Sequence, residues 1–380
     1  MMRTPSLIRL VSTVGIAALA LFALDACAPA TTPTASPSAH HPHVKPSPTP
    51  TQAVVPTVRV PVTCGSMFTD STAASLIGVP VKYHIDQTTN PVDIIDVVAR
   101  QYGSLICLWG GAGRTDGGYD ENLTVEVTPD AAQGYTSNLS SLQSEQAPVV
   151  SNSAGDQSVY GCAAQNGLNC IGNMVVGSYW VTASIQSLDD TSTTHAIASS
   201  RMQQALTAIA AHLKNTTPRP AWNPPGSSLP SFCSDSGSTA QVNAALGETD
   251  FAVTGEDDGP ADAESYTQQP GVYDQCSWGN DGDSTADRFS YLEIAMVKGG
   301  AWVMPQLAGE QDQDNYMLGA YSPLTIPGAD TAVSSCSVAA QQCAVYLTIG
   351  STLVFIDLDD PGETLVDTAV SKLVAAIRAS

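Results

Sequence analysis

CLWGGAG (Cys107–Gly113) and CSWGNDG (Cys276–Gly282) are two copies of one pattern, 169 residues apart. In each, a cysteine stands two residues before a tryptophan and glycines follow. The same offset of 169 places Cys64 on Cys233, Gly78 on Gly247 and Trp109 on Trp278. It also sets Leu123, Val125 and Val127 on Leu292, Ile294 and Met296 without a gap. An offset of 173 then places Cys170 on Cys343 and Gly177-Ser178 on Gly350-Ser351. Each copy ends in apolar residues at steps of 4, 3 and 4: Met202, Leu206, Ile209, Leu213, and Val366, Val370, Leu373, Ile377. A duplicated unit has to be recognised before any other argument about fold.

The repeat divides the chain into tandem homologous domains at 61–215 and 231–380, joined by a Pro-rich linker, 216–230. At about 150 residues each is long enough to bury a core. Within each unit the order reads alike. A short helix comes first, Asp70 to Ile77 and Ser238 to Leu246, stopped by Gly78 and Gly247. A variable loop leads into the C-x-W strand. The next strand alternates, with Leu123, Val125 and Val127 on one face and Thr124 and Glu126 on the other. Helical stretches are expected at 130–144 and 300–310, then two strands flanking a close cysteine pair, then the terminal helix. Adjacent strands with short connections and few helices predict an α+β fold, a mainly antiparallel sheet packed with helices in each unit.

The chain begins with a short basic region (Arg3, Arg9) and an uncharged apolar run from Leu10 to Leu24. That run is shorter than the roughly 20 residues of a membrane span and suits a secretory signal. It ends Leu24-Asp25-Ala26-Cys27, which resembles the bacterial lipobox, although Asp25 is not a usual residue there. The expectation is a signal over 1–27 with Cys27 lipidated, and an outer-leaflet anchor of inserted acyl chains. Residues 28–60, rich in Pro, Thr, Ser and Ala, are expected to be a disordered stalk. Its His40, His41 and His43 read as a solvated patch.

Nine cysteines in an exported chain point to disulfides. With Cys27 set aside, eight remain in two sets of four. Four cysteines per unit allow three pairings. The favoured one is Cys64–Cys107 with Cys162–Cys170, and Cys233–Cys276 with Cys336–Cys343, because separations of 43 and of 8 or 7 recur in both units. Trp109 and Trp278, two residues from a strand cysteine, are expected to pack over the disulfide. The functional alternative is a ligand-stacking Trp.

Chemistry leaves few marks. There is no G-x-S-x-G, S-x-x-K, H-E-x-x-H, P-loop or G-x-G-x-x-G, and no pattern asks for a cofactor. Beyond residue 60 the histidines are His84, His195 and His212. The charge says more. Formal net charge is −22; residues 61–215 hold 13 acidic and 5 basic side chains, and residues 231–380 hold 22 and 4. Nucleic acid is thereby excluded as an expected partner, since phosphate contacts need Lys and Arg. Asp281, Asp283 and Asp287 lie close enough in sequence to suggest calcium, but without EF-hand spacing. Asn315–Leu324 (NYMLGAYSPL) offers Tyr316, Met317 and Tyr321 as a candidate ligand or partner contact. It reads equally as a segment folded onto the core.

The lipobox, the stalk, and the recurring Cys64, Gly78, Cys107, Trp109 and Cys233, Gly247, Cys276, Trp278 resemble actinobacterial cell-envelope lipoproteins of uncharacterised domain families. Some of these are similar to the extracytoplasmic sensor domain of mycobacterial Ser/Thr protein kinases. The resemblance implies a lipid-anchored protein on the outer face of the cytoplasmic membrane. Its role would be to bind or sense an envelope protein or small ligand, without chemistry. The alternative is an exported hydrolase whose site the sequence does not reveal.

Overall fold

Two seven-stranded antiparallel sheets carry the fold, and their strand orders are the same. The computed structural model describes residues 55–86, 94–111, 121–136, 150–151, 153–164, 168–188, 193–226, 229–230, 232–233, 237–254, 263, 265–268, 271–279, 289–307, 320–337, 341–359 and 363–380. Cys27, His40, His41, His43, Asp281, Asp283, Asp287, Tyr316 and Met317 lie outside the described residues.

Sheet 1 contains β1 (Tyr83–Asp86), β2 (Leu105–Gly110), β3 (Asn122–Thr128), β4 (Val150–Ser151), β5 (Gln157–Ala164), β6 (Leu168–Val176) and β7 (Tyr179–Leu188), in the order β1-β2-β3-β7-β6-β5-β4. Sheet 2 contains β8 (Ala252–Val253), β9 (Tyr273–Gly279), β10 (Tyr291–Val297), β11 (Ser322–Leu324), β12 (Thr331–Ser337), β13 (Gln342–Ile349) and β14 (Thr352–Asp359), in the equivalent order. The C-x-W strand of each unit pairs with the alternating strand, Cys107 opposite Val125 and Cys276 opposite Ile294.

The helices follow from local sequence. Thr63 caps α1 (Cys64–Met67), and Thr69 accepts from the Thr72 N–H at the start of α2 (Asp70–Ile77). Gly78 and Gly247 end α2 and its counterpart α6 (Ser238–Leu246) in the left-handed region. The terminal helices are α5 (His195–Leu213) and α8 (Glu363–Ala379). On one face of sheet 1, Leu123, Val125 and Val127 form a fully buried core with Met202, Leu206 and Ile209 of α5. Sheet 2 repeats this, Leu292, Ile294 and Met296 meeting Val370, Leu373 and Ile377. The stretch expected to be helical at 130–144 is described as helix only at 132–136, α4. That at 300–310 is a 3₁₀ turn, Gly300–Val303, and α7 (Met304–Leu307).

The variable loop before each C-x-W strand holds what the repeat comparison passes over. In unit 1 it contains α3 (Ile94–Tyr102), whose Ile94, Val97 and Val98 are buried. These three pack against Tyr273, Ala295, Val297, Trp302 and Leu353 on the second face of sheet 2. The equivalent segment of unit 2 does the converse. Ala263 and Tyr266 lie on the second face of sheet 1, with Ala131, Tyr135, Val175 and Trp180. Sheet 1 binds both backbone groups of Ala263: the Thr182 hydroxyl accepts from its N–H at 2.9 Å, and the Thr128 hydroxyl donates to its carbonyl at 2.5 Å. Residues Gln52–Ser380 accordingly form one compact unit.

Two connecting segments also lie on the body. The expected stalk extended to residue 60, but Pro56, Arg59 and Val60 are buried. The valines at 58 and 60 give this end of the segment apolar surface to bury against the sheet 1 core. The 216–230 segment is fastened too. Trp222 packs with the α3 cluster, and Ser351 donates to the Pro225 carbonyl at 3.1 Å.

Candidate functional site

The cysteines pair as Cys64–Cys107, Cys162–Cys170, Cys233–Cys276 and Cys336–Cys343, with S–S distances of 1.99–2.01 Å. Cys162 and Cys170 face each other across β5 and β6, as Cys336 and Cys343 do across β12 and β13. Three of the eight cysteines, Cys107, Cys170 and Cys343, are at most 2% exposed. Two of the bonds thus staple neighbouring strands, Cys64–Cys107 clamps α1 onto β2, and Cys233–Cys276 ties the turn before α6 to β9.

Trp109 and Trp278 are completely buried in the same cores as these disulfides. Phe68 meets Trp109 edge-on at 5.5 Å between ring centroids, and the His84 imidazole stacks on it at 4.9 Å. Phe232, next to Cys233, meets Trp278 at 6.0 Å. A ring with no exposed surface cannot stack on a ligand. The two copies differ in one bond: the Trp278 indole donates to Thr239 at 3.2 Å, whereas the Trp109 Nε1 is buried without a partner. Asp70, at the position equivalent to Thr239, instead approaches His84 Nδ1 at 4.0 Å.

Tyr321, expected as a ligand or partner contact, is buried at 3% exposure. Its ring meets Tyr346 edge-on at 5.4 Å, and Tyr346 in turn meets Phe355 at 4.7 Å. An aromatic ring just before the edge strand β11 gains more by covering this apolar face than by facing water.

The strongest concentration of functional groups is on the second face of sheet 2, beside the area that α3 covers. Side chains alternate along a strand, so Tyr291 and Glu293 share a face with Ala295 and Val297 of the α3 contact. Register extends this row sideways. Glu293 lies opposite Ser277 on β9 and Asp357 on β14. Tyr291 lies opposite Asp359, and Asp359 lies opposite Gln342. The result is a sheet surface with three carboxylates and polar neighbours.

Hydrogen bonds hold these groups in place. Gln342 Nε2 donates to Asp357 Oδ2 at 2.9 Å, and the Tyr291 hydroxyl donates to Glu293 Oε2 at 2.9 Å. Ser277 Oγ donates to the Thr254 carbonyl. Asp357 Oδ1 is buried without a hydrogen-bond partner. Burial pushes the Asp357 carboxyl up to about 6, and the charges of Asp359 and Glu293 push the same way against the Gln342 and Leu358 bonds. Burial also raises the Tyr291 phenol to about 12, with the Glu293 charge adding to it. Among the described residues, neither Glu293 nor Asp357 takes part in a salt bridge.

Unit 1 lacks carboxylates at the equivalent positions. The repeat offsets place Thr124 on Glu293, Ser184 on Asp357 and Gln186 on Asp359. The strands pair the same way, Thr124 opposite Ser184 and Asn122 opposite Gln186. Both sheets thus have one scaffold, with neutral side chains at these three positions of sheet 1 and carboxylates at those of sheet 2; the carboxylate that sheet 1 has on this face is Glu126, one pair further along β3. The charge count alone does not say where unit 2 holds its excess acid. The signal it passed over was a carboxylate at alternate positions of two strands (Glu293; Asp357, Asp359) where unit 1 has Thr, Ser and Gln.

Among the described residues no group of three or more His, Cys, Asp or Glu is arranged to hold a metal ion. No described helix is long and apolar enough to cross a membrane. No protein-family model and no curated protein matches the chain. Among solved structures, the crystal structure of DynU16, a protein in the dynemicin biosynthetic locus, aligns at 8% identity over 78% of this chain and 96% of that one. The TM-score of 0.13 is too low for that likeness to carry an argument about fold or function.

Proposed function

We propose that this protein is an extracytoplasmic lipoprotein, anchored through Cys27, that binds a positively charged envelope partner or small ligand and does no chemistry. Three features support the compartment. The N-terminus has a signal-like run ending in a lipobox-like cysteine. The eight remaining cysteines all pair, which suits an oxidising environment. The sparse C-x-W motifs resemble those of envelope lipoproteins.

The observation that carries the binding reading is the charge difference between equivalent sheet faces. The sheet needs no carboxylates at these three positions, because unit 1 forms the same sheet with Thr124, Ser184 and Gln186 there. In unit 2 the Asp357 carboxylate is kept at a cost in desolvation and like-charge repulsion. A cationic group docked against Glu293, Asp357 and Asp359 relieves that cost. Attraction of this kind steers association and weakens with salt.

Titration of the purified protein with a lysine-rich peptide tests this at low and at physiological ionic strength. Wild type should bind, and the E293Q/D357N double variant should bind at least tenfold more weakly. Equal affinity of the two proteins would remove the site. The anchor is tested separately: C27A should abolish acyl labelling and release the protein from membranes, and continued labelling would exclude Cys27 as the lipid site.

A further inference from the structure

We propose that α3 is a movable cover on sheet 2, latched at its C-terminal end by the segment 56–60. The proposal goes beyond the binding reading and stands on different residues.

The underside of α3 is only partly suited to its seat. Ile94, Val97 and Val98 bury apolar surface against sheet 2. Gln101 follows three and four residues after Val98 and Val97, on the same helical face. It is 4% exposed, yet neither its amide oxygen nor its amide nitrogen has a hydrogen-bond partner. Trp302 belongs to the 3₁₀ turn that α3 packs on, and its buried Nε1 is also unpartnered. Each unpaired buried group opposes closure, because opening gives it to water.

The latch supplies what the seat lacks. The Arg59 N–H donates to the Gly103 carbonyl at 2.8 Å, and Arg59 Nη1 donates to the Tyr102 carbonyl at 3.4 Å. Arg100 Nε donates to the Pro56 carbonyl at 2.8 Å. The Arg59 guanidinium, buried at 7% exposure, also pairs with Asp130 at the end of β3 and donates to the Arg219 carbonyl at 2.8 Å. One side chain thus ties the last turn of α3 to sheet 1. Gly103 is required for this approach: its φ is +90°, and a Cβ there would lie 2.2 Å from Arg59 Cγ. Release of the latch frees α3 to lift from Ala295 and Val297 of β10, next to Glu293 on the same sheet face.

Hydrogen exchange followed by mass spectrometry on the full chain tests the cover. In wild type, amides of 94–103 should exchange at least a hundredfold faster than those of β10 and β14, through local opening. R59A should speed exchange at 94–103 by a further tenfold or more and leave β10 and β14 unchanged. Q101L, which removes the unpaired amide at similar volume, should slow it severalfold. Three outcomes would overturn the proposal: α3 exchanging at the rate of β10 in wild type, R59A accelerating all segments by one common factor, or Q101L accelerating α3.

Discussion

Ile94 and Ala263 stand at equivalent positions of the two repeats, and each is buried on the sheet of the other. Each sheet therefore packs one face on its own terminal helix and takes part of the cover of its second face from the other repeat. The units are related by sequence as a tandem pair, and by packing as a reciprocal exchange. Separating them would uncover Trp180, Tyr135 and Val175 on one side and Tyr273, Val297 and Leu353 on the other, all at most 7% exposed in the intact body.

The first prediction concerns the bonds at Ala263. Thr182 accepts from the Ala263 N–H and donates to Asn173 Oδ1 at 2.7 Å. T182V leaves that N–H buried without an acceptor, at a cost of about 1–3 kcal/mol. Chemical denaturation should show the loss in full. An unchanged midpoint would mean that the Ala263 contact contributes nothing to the lock.

The two tryptophans separate packing from hydrogen bonding. W278F removes ring volume and the bond to Thr239; W109F removes ring volume and a buried N–H that has no partner. W278F should cost about 1 kcal/mol more than W109F. Equal losses would show that the Thr239 bond has no net value.

Disulfide removal should follow loop length. In the chain-entropy account the Cys64–Cys107 bond, closing 43 residues, is worth roughly 4 kcal/mol, and the Cys162–Cys170 bond, closing 8, about 2.5 kcal/mol. The double alanine variant of the first pair should have the lower denaturation midpoint. The reverse order would point to residual structure in the unfolded chain.

Asp357 gives a pH signature. Its carboxyl is raised from an ordinary 3.8 to about 6, so the fold binds its proton more tightly than the unfolded chain does. Its contribution to stability is complete below about pH 4 and is lost as pH rises through 6. D357N, permanently neutral, should be more stable than wild type at pH 7.5, by no more than about 3 kcal/mol. The advantage should vanish near pH 4. Thermal melts at the two pH values decide this, and a D357N variant less stable at pH 7.5 would contradict the assigned cause.

Much of this architecture was readable because the sequence states it twice. The short helices ending at Gly78 and Gly247 have the bounds expected from their capping glycines. Leu123, Val125 and Val127 face inward, as period-two alternation requires. α3 was not readable, because its apolar spacing in IIDVV faces AESYT in the other copy, and comparing the two removes the signal. Its seat is also remote in sequence: Ile94 meets β10, some 200 residues on. Tyr321 was ambiguous for a related reason, since an aromatic ring beside an edge strand covers whichever face the fold leaves open. The acidic floor needed register, which places Glu293 opposite Asp357 across strands more than 60 residues apart.

Calorimetry of residues 52–380 tests the reciprocal packing most directly. If each sheet depends on the other for its second face, heating should give one transition. Its calorimetric and van't Hoff enthalpies should agree, and T182V should shift the whole transition downward. Two separable transitions, with T182V moving only one of them, would mean that the repeats fold independently and that the exchange of Ile94 and Ala263 does not hold them together.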